Sequence, residues 1–349
     1  MHNSKAMIAM SGGVDSSVAA WLTMEAGFSC IGATMRLWSD TEEAAEDAAA
    51  VARKLGIPFT LFDLAEEFDR IVIGDFIACY ECGLTPNPCI RCNRHMKFGK
   101  FLELAQDYGC DYIVTGHYAQ VRQDPETGRY LLCKALDPAK DQSYFLYALS
   151  QAQLAHVRFP LGGLTKEQAR EIALQQGFHN ARKRDSQDIC FVPDGDYYEF
   201  LRRHTGKDYP AGDFLDLEGR KVGTHKGAVG YTLGQRKGLG LAMGEPVYVC
   251  AKDMERNTVT VGPNDALMHR ELIAEDWFFF PFETIMEPIR VKAKTRSRMS
   301  EQPATVYPME DGRCRVEFDQ PQRAITPGQA VVLYDGDLVV GGGTITEIK

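Results

Sequence analysis

Long hydrophobic runs are scarce in this chain of 349 residues. No segment approaches the roughly 20 apolar residues that span a bilayer, and the apolar stretch at residues 277–282 is far too short. The N-terminal MHNSKAMIAM is too short for a secretion signal, because Gly12 and Gly13 interrupt it. Low-complexity tracts are absent, and 44% hydrophobic with 25% charged residues is an ordinary globular composition. We therefore expect a cytoplasmic protein of two or three domains.

Positive charge is also in deficit. The chain has 39 Lys and Arg against 48 Asp and Glu, a formal net charge of −9, which argues against a nucleic-acid partner for the chain as a whole. Local basic patches nevertheless exist at residues 91–100, 182–184, 202–207 and 290–298. Each patch alone would be interpreted as solvated surface. Because phosphate contacts need only a local basic face, the four together keep a polyanionic partner open.

The ten cysteines predict free thiols, because structural disulfides are rare in reducing compartments. Cys79, Cys82, Cys89 and Cys92 fall within fourteen residues, and such clustering indicates chemistry or a metal. A structural zinc site is one interpretation, although the central spacing is short. Packing of Cys79 and Cys82 at the end of a helix is the simpler one. The cysteines predicted to be small buried hydrophobic side chains are Cys30, Cys110, Cys133, Cys250 and Cys314.

Short apolar strands alternate with helical patterns in the first half of the chain. The predicted strands are residues 6–10, 28–37, 58–63 and 111–120, and the predicted helices are residues 16–26, 42–55, 66–78 and 93–108. Residues 123–128 predict a hairpin loop, and residues 142–177 are mostly helical in pattern. The alternation predicts an α/β domain with a parallel, Rossmann-like sheet and right-handed crossovers.

The pattern changes after about Asp196. Glycines and turn signals become frequent, residues 247–261 predict a hairpin, and about six strands follow from Leu272. These features are typical of small, mainly-β domains. We therefore predict three domains, residues 1–196, 197–266 and 267–349, of which the last is barrel-like.

The first strand leads directly into SGGVDSS at residues 11–17, which opens a helix. A Gly-Gly turn lets the backbone approach an anion, and a helix N-terminus offers unpaired N–H groups and the positive end of its dipole. Asp15 has two candidate roles, binding Mg²⁺ or capping the helix. The lysine of a Walker A loop is absent. Strand, S-G-G-x-D-S and helix together resemble the ATP pyrophosphatase (PP-loop) family, which implies cleavage of ATP between its α- and β-phosphates to adenylate an oxygen.

Further motifs narrow this resemblance. They are LTPNPCIRCNRHMKFG, which contains Cys92; ARKRDSQDICFV, in which Cys190 follows Ser186, Gln187 and Asp188; TGHYA at residues 115–119; KDQSYFL at residues 140–146; GTHKGAVGYTLGQRKGLG at residues 223–240; and TPGQAVVLYDGD from Thr326. With SGGVDSS, they resemble the tRNA-specific 2-thiouridylases over essentially the whole chain. The resemblance implies ATP-dependent replacement of the 2-oxygen of the wobble uridine of tRNA by sulfur.

Matched position by position, the resemblance implies that Cys190 carries a persulfide and that Cys92 is its partner in thiol–disulfide exchange. Cationic Arg91 and Arg94 are expected to favour the Cys92 thiolate. The implied nucleotide-binding positions are Ala9, Met10, Ser11, Gly12, Gly13, Val14, Asp15, Ser16, Met35 and Gly116. The implied contacts to the target base are Asn87, Pro88 and Cys89, and those to the rest of the tRNA are His117, Lys140, Asp141, Gln142, Arg296, Ser297 and Gln329.

Cys89 departs from the family pattern, since many relatives have aspartate there. The change creates C-x-x-C with Cys92, and Cys190 is a candidate third thiolate. Three thiolates with one open coordination position would suit a [4Fe–4S] cluster that binds the transferred sulfide, whereas C-x-x-C alone also suits zinc or a redox pair. The sequence leaves the cluster and persulfide routes equally open. The implied cofactors are ATP and Mg²⁺, and the implied sulfur donor is a cysteine desulfurase or a sulfur-carrier protein.

Two other functions explain part of the sequence. Another adenylating PP-loop enzyme, such as a small-molecule ligase, would explain SGGVDSS but neither Cys92 nor Cys190. A non-catalytic tRNA- or metal-binding protein would need a degenerate nucleotide loop, and this loop is intact. The sequence therefore favours the sulfurtransferase.

Overall fold

A computed structural model describes residues 4–38, 42–181, 183 and 189–349. The first sheet has five parallel strands in the order β3-β2-β1-β4-β7. They are β1 (Lys5–Ala9), β2 (Ser29–Arg36), β3 (Phe59–Asp63), β4 (Tyr112–Val114) and β7 (Val157–Arg158). The order reverses between β1 and β4, and open α/β sheets bind ligands beyond the carboxyl ends of the strands at such a reversal.

The helices connect these strands and continue into the second domain. They are α1 (Val14–Glu25), α2 (Glu42–Leu55), α3 (Ala65–Phe68), α4 (Gly74–Glu81), α5 (Pro88–Cys92), α6 (Phe101–Asp107), α7 (Gln151–Ala155), α8 (Lys166–Gln175) and α9 (Tyr197–Thr205). Short 3₁₀ turns occupy Ser143–Phe145, Pro160–Gly163, Ala228–Gly230 and Asn264–Leu267. Capping boxes start α7 at Ser150 and α8 at Thr165.

Two stretches of helix are wound as π-helix, Asp69–Ile73 between α3 and α4 and Asn93–Lys100 between α5 and α6. The sequence predicts ordinary helix at both places. Wider π turns bond residue i to residue i+5 and often occur at functional sites. The second stretch directly follows Cys92, so its winding determines which side chains lie beside that thiol.

A four-stranded sheet forms the central domain in the order β10-β11-β8-β9. Its strands are β8 (Gly212–Leu215), β9 (Lys221–His225), β10 (Tyr248–Asp253) and β11 (Thr258–Gly262). Strands β10 and β11 form the hairpin predicted within residues 247–261. Their apolar side chains pack with Phe214 and Tyr231 into a small core of their own.

The C-terminal domain is a closed barrel of six antiparallel strands. They are β12 (Met268–Phe279), β13 (Ile289–Lys294), β14 (Gln302–Pro308), β15 (Cys314–Arg323), β16 (Ala330–Asp335) and β17 (Leu338–Ile348). The order β12-β15-β14-β13-β16-β17 closes because β12 also pairs with β17. Alternate residues point into the barrel, as Val291 and Ala293 do on β13. The predicted α/β domain followed by two small β domains, the last barrel-like, is confirmed.

A hairpin of the first domain joins this barrel. Strands β5 (Gln120–Gln123) and β6 (Tyr130–Cys133) enclose the predicted loop, and β6 pairs with β17 at Cys133 and Leu338. The sequence predicts a single strand over residues 111–120, whereas the structure has β4 over Tyr112–Val114 and begins β5 at Gln120. The side chain of Arg129 donates hydrogen bonds to the backbone carbonyls of Phe279, Phe280 and Phe282. The two domains are thus joined by backbone pairing and by a guanidinium fork.

Among the described residues, every helix is too short or too polar to cross a bilayer.

Candidate active site

The SGGVDSS loop is preformed at the carboxyl end of β1. The Ser16 hydroxyl accepts from the Ser11 N–H at 3.1 Å and donates to the Gly13 carbonyl at 3.0 Å. Gly12 has φ +68°, and a Cβ there would lie 2.4 Å from the Ala44 carbonyl oxygen, so only glycine fits. Packing and hydrogen bonds therefore fix the loop, with the N-terminus of α1 directed outward for an anion.

Asp15 is held by residues that lie far away in the sequence. The Lys166 ammonium donates to both of its carboxylate oxygens at 2.8 Å, and the Tyr118 hydroxyl donates to one at 3.0 Å. The Lys166 side chain is 6% exposed. These three bonds leave about one of the roughly four lone-pair sites of the carboxylate free, so Asp15 could supply at most one bond to Mg²⁺. A Mg²⁺ ion at this loop would be held mainly by phosphate oxygens and water, which is its usual manner of binding.

Asn180 supports the same loop from behind. Its buried amide nitrogen donates to the Gly12 carbonyl at 2.9 Å and to the Ser17 hydroxyl oxygen at 3.0 Å. No motif points to Lys166 or Asn180, because the fold alone brings them to the loop.

A cavity of about 390 Å³ opens between the carboxyl ends of β1 and β4. Predicted nucleotide-binding residues line it, namely Ala9, Met10, Ser11, Asp15, Ser16, Met35 and Gly116. Gly12, Gly13 and Val14 shape the loop without lining the cavity. A Cβ on Gly116 would lie 2.8 Å from the Ser16 nitrogen, so this glycine lets the β4 turn approach the loop. The rest of the wall includes Lys97, His117, Gln142 and Cys190.

His117 is buried in this wall. Its Nδ1 lies 2.8 Å from the Thr115 hydroxyl, and its ring packs against Phe98 and Phe159. Burial, with a smaller effect from the Lys97 charge, lowers the pKa of His117 well below its usual range. The imidazole is therefore neutral at physiological pH, and a tRNA contact there would be a hydrogen bond rather than a charge contact.

The three candidate catalytic cysteines lie close enough to affect each other's ionisation. Cys92 is buried, and burial raises the pKa of its thiol to about 12, with the charge of Lys97 opposing and those of Cys190 and Cys89 adding. Cys89 and Cys190 are exposed, and Cys190 lines the cavity; partial desolvation by neighbouring atoms raises the pKa of both thiols. All ten cysteines are free.

The expectation that Arg91 and Arg94 favour the Cys92 thiolate is wrong. Arg91 is directed to Asp75, at 3.5 Å, and Arg94 to Asp276, at 2.6 Å. The cation near the thiols is Lys97, whose charge lowers the pKa of all three cysteines against the larger effect of burial. Lys97 is five residues after Cys92 in the π-helical stretch, and that winding brings positions i and i+5 together.

Neither metal hypothesis finds a ready site in this structure. Within the described ranges, no group of three or more His, Cys, Asp or Glu side chains is arranged to hold a metal ion. Cys79 is half-buried at the end of α4, and its pKa is raised to about 11, first by burial and then by Asp75. Cys82 is exposed. The four-cysteine zinc site and the Cys89, Cys92 and Cys190 cluster therefore have no support from the geometry.

Apart from His117, the predicted contacts to the base and to the rest of the tRNA form three groups. Of Lys140, Asp141 and Gln142, only Gln142 lines the cavity of the phosphate loop. Asp141 lines a separate cavity, and its carboxylate accepts from the Ala135 and Ser143 N–H groups. Asn87 occupies the N-cap position of α5 without a side-chain capping bond, Pro88 is the first residue of the helix and Cys89 follows. In the barrel, the Arg296 guanidinium bonds the Leu233 and Ala324 carbonyls and the Thr326 hydroxyl, Ser297 follows it, and Gln329 bonds the Thr85 and Pro86 carbonyls.

Part of the basic sequence at residues 290–298 is internally neutralised. Arg290 pairs with Asp319, and Lys294 lies 3.8 Å from Glu301. Lys292 and Arg298 are exposed, and within the described ranges neither forms an ion pair. In the basic patch at residues 182–184, Arg182 and Arg184 lie outside the described residues. The same holds for Ser186, Gln187 and Asp188, which precede Cys190.

A phosphate loop after β1, facing a cavity at the point where the strand order reverses, defines an α/β nucleotide-binding enzyme of the ATP pyrophosphatase class. Comparisons with known proteins narrow that class. The profile "tRNA methyl transferase HUP domain" matches residues 4–194, "tRNA methyl transferase PRC-barrel domain" matches 198–263, and "Aminomethyltransferase beta-barrel domain" matches 269–345.

Curated relatives match at full length. The tRNA-specific 2-thiouridylase MnmA of Acetivibrio thermocellus is 49% identical over 99% of this chain and 100% of that protein. The protein of the same name from Moorella thermoacetica is 50% identical over 98% of this chain and 99% of that protein. The chain therefore belongs to the tRNA-specific 2-thiouridylase family, a family of sulfurtransferase enzymes.

Solved structures show a weaker likeness. An NMN synthetase from Francisella tularensis is 17% identical, with a TM-score of 0.36, over 59% of this chain and 79% of that chain. So small a score carries no argument about function.

Proposed function

We propose that this protein uses ATP to replace the 2-oxygen of the wobble uridine of tRNA by sulfur, with Cys190 as the persulfide carrier. One observation carries the proposal: a single cavity is lined both by the phosphate loop, through Ser11 and Ser16, and by Cys190. An oxygen activated at one wall and a sulfur delivered from the other can therefore meet without transport of an intermediate. The cytoplasm, where tRNA and ATP are both available, is the proposed compartment.

The first step is adenylation. The uridine O2 attacks the α-phosphorus of ATP, and the bond to the β-phosphate breaks to release pyrophosphate. The N-terminus of α1 and the Ser11 and Ser16 groups stabilise the negative charge of the departing phosphates. Bound Mg²⁺ would supply further neutralisation of that charge. Because chemistry on a base requires it to leave the stack, we expect the uridine to be flipped into the cavity.

The second step transfers sulfur. The terminal sulfur of the Cys190 persulfide attacks C2, AMP leaves with the former oxygen, and the base is then joined to Cys190 through a disulfide. The Cys92 thiolate attacks the Cys190 sulfur, which releases 2-thiouridine and leaves a Cys92–Cys190 disulfide. An external thiol reduces that disulfide, and a cysteine desulfurase or sulfur-carrier protein restores the persulfide.

The raised pKa of Cys92 protects the persulfide before the reaction begins. A thiolate beside a persulfide would reduce it and release sulfide before the base arrived. Because burial keeps Cys92 protonated at neutral pH, it is a weak nucleophile in the resting enzyme. The Lys97 charge opposes this effect and so favours the thiolate that the second step needs.

The proposal is tested by tRNA-dependent release of AMP, measured by thin-layer chromatography, together with 2-thiouridine, measured by mass spectrometry of digested tRNA. Wild-type protein supplied with a sulfur donor should form both. Cys190→Ser and Cys92→Ser should bind tRNA but form no 2-thiouridine. AMP release with a metabolite in place of tRNA would indicate a ligase, and no AMP release with any acceptor would indicate a binding protein.

Iron analysis of anaerobically purified protein distinguishes the persulfide route from the cluster route. Anaerobically purified protein should thiolate tRNA without bound iron when Cys190 is loaded with persulfide. About four irons per chain, with activity lost in Cys89→Ala, would instead support a [4Fe–4S] cluster.

A further inference from the structure

The segment that carries the predicted base contacts has few internal means of holding its shape. Residues 85–88 read Thr-Pro-Asn-Pro, and proline has no backbone N–H. Pro86 and Pro88 therefore cannot take part in a regular hydrogen-bonded structure as donors. The carbonyls of Thr85 and Pro86 need donors from elsewhere in the molecule if this segment is to keep one conformation.

Those donors come from the barrel, more than 240 residues later in the chain. The amide nitrogen of Gln329 donates to the Thr85 carbonyl at 2.8 Å and to the Pro86 carbonyl at 3.0 Å. An amide nitrogen has two hydrogens, so this pair of bonds uses its whole donor capacity. In addition, the Thr85 N–H donates to the Pro327 carbonyl at 3.0 Å.

The barrel turn at residues 326–329 is itself rigid. The Gly328 N–H bonds the Ile345 carbonyl at 2.8 Å, and the Gln329 carbonyl accepts from the Ile345 N–H at 2.8 Å. Gly328 has φ +89°, and a Cβ there would lie 2.9 Å from the Thr85 nitrogen. Arg296 bonds the Thr326 hydroxyl from the other side. The turn is therefore in close contact with residues 85–88, here called the base-contact segment, and its own hydrogen bonds hold it in place.

We propose that Gln329, which the resemblance implies to be a tRNA contact, is a positioning residue for the base-contact segment. It fixes the backbone that leads into Asn87 and Cys89, and its loss slows the chemical step more than it weakens tRNA binding. This inference rests on the proposed function. It assigns the barrel a part in shaping the catalytic cavity, because the turn that holds the segment belongs to the barrel.

The test compares Gln329→Leu, which removes both donors at similar size, with Gln320→Leu, an exposed amide on the same barrel. For each variant the tRNA dissociation constant is measured at one salt concentration, and the thiolation rate is measured in a single turnover with enzyme in excess. We expect Gln329→Leu to bind tRNA within about twofold of wild type and to thiolate about tenfold more slowly, the effect of losing two ordinary hydrogen bonds. Gln320→Leu should match wild type in both.

Three results would overturn the inference. An unchanged single-turnover rate would show that the two bonds do not matter to the reaction. A dissociation constant raised as much as the rate is lowered would make Gln329 a tRNA contact. If Gln329→Leu does not fold, Gln329→Glu, which keeps the length of the side chain but has no N–H donor, is measured in its place, and a single-turnover rate equal to that of wild type contradicts the inference. Wild type that makes no 2-thiouridine would instead refute the proposed function itself.

Discussion

Lys97 is the side chain whose charge acts on Cys89, Cys92 and Cys190 together. A thiol is protonated below its pKa, and a nearby cation lowers that pKa and so increases the thiolate fraction at neutral pH. Loss of the cation should therefore slow every reaction of these thiols at pH 7–8. The loss should have little effect at a pH above the pKa, where the thiol is ionised with or without the cation.

We predict that Lys97→Met slows alkylation of Cys190 by iodoacetamide about three- to tenfold at pH 8, and that the difference shrinks as the pH rises. Mass spectrometry of the labelled peptide measures the rate. Lys100→Met is the matched control, because Lys100 lies in the same helical stretch and pairs with Glu103. Equal rates for Lys97→Met and wild type across the pH range would remove Lys97 from the site.

Among individual site residues, the sequence predicts those that belong to a motif and misses those that the fold brings to the site from elsewhere in the chain. Ser11, Ser16 and Gly116 line the cavity as expected. Asn180 and Lys166 reach the loop from over 150 residues away, and no pattern in the sequence indicates where they point. The error over Arg91 and Arg94 has a related cause, since the direction of a side chain depends on the winding of its helix.

The helices and strands that carry the site are predicted with uneven success. The first three strands of the parallel sheet and helices α1 and α2 are predicted within a few residues of their ends, because strong apolar periodicity is a reliable signal. The strand predicted over residues 111–120 is too long, since β4 ends at Val114. Strand β7 has only two residues, Val157 and Arg158, and carries no such signal. The π-helical stretches have the composition of ordinary helix, so their winding depends on tertiary packing that the sequence alone does not show.

The β5–β6 hairpin joins the first domain to the barrel through the side chain of Arg129. Arg129→Leu removes three hydrogen bonds to barrel carbonyls, and bonds to charged groups contribute about 1.5–3 kcal/mol each. Because solvent replaces part of this, we expect a loss of about 2–4 kcal/mol, seen as a lower midpoint of thermal unfolding and faster proteolysis between the domains. Arg122→Leu, an exposed position on the same hairpin, is the control. Equal midpoints for both variants and wild type would show that the fork is not stabilising.

For the whole molecule, the net charge of −9 and a tRNA substrate are compatible because the barrel keeps exposed cations at Lys292 and Arg298. Each cation that contacts a phosphate contributes about 0.7–0.9 to the slope of log K against log salt. We predict that Lys292→Gln and Arg298→Gln each lower that slope by about one without changing the unfolding midpoint, measured by filter binding of tRNA at several salt concentrations.

Arg296 should behave differently from its neighbours. Its guanidinium bonds Leu233 in the central domain and Ala324 and Thr326 in the barrel. Arg296→Gln should therefore lower thermal stability as well as tRNA affinity. Unchanged slopes for Lys292→Gln and Arg298→Gln would place the tRNA on another face of the molecule.

The central claim is that sulfur passes from Cys190 to the base in the cavity that holds the phosphate loop. The most direct measurement loads metal-free protein with ³⁵S persulfide, adds ATP and unmodified tRNA, and follows the label in a single turnover. The account predicts up to one labelled 2-thiouridine per loaded chain, none without ATP and none with Cys190→Ser. Label that stays on the protein in the presence of ATP and tRNA, or equal transfer by Cys190→Ser, would contradict it.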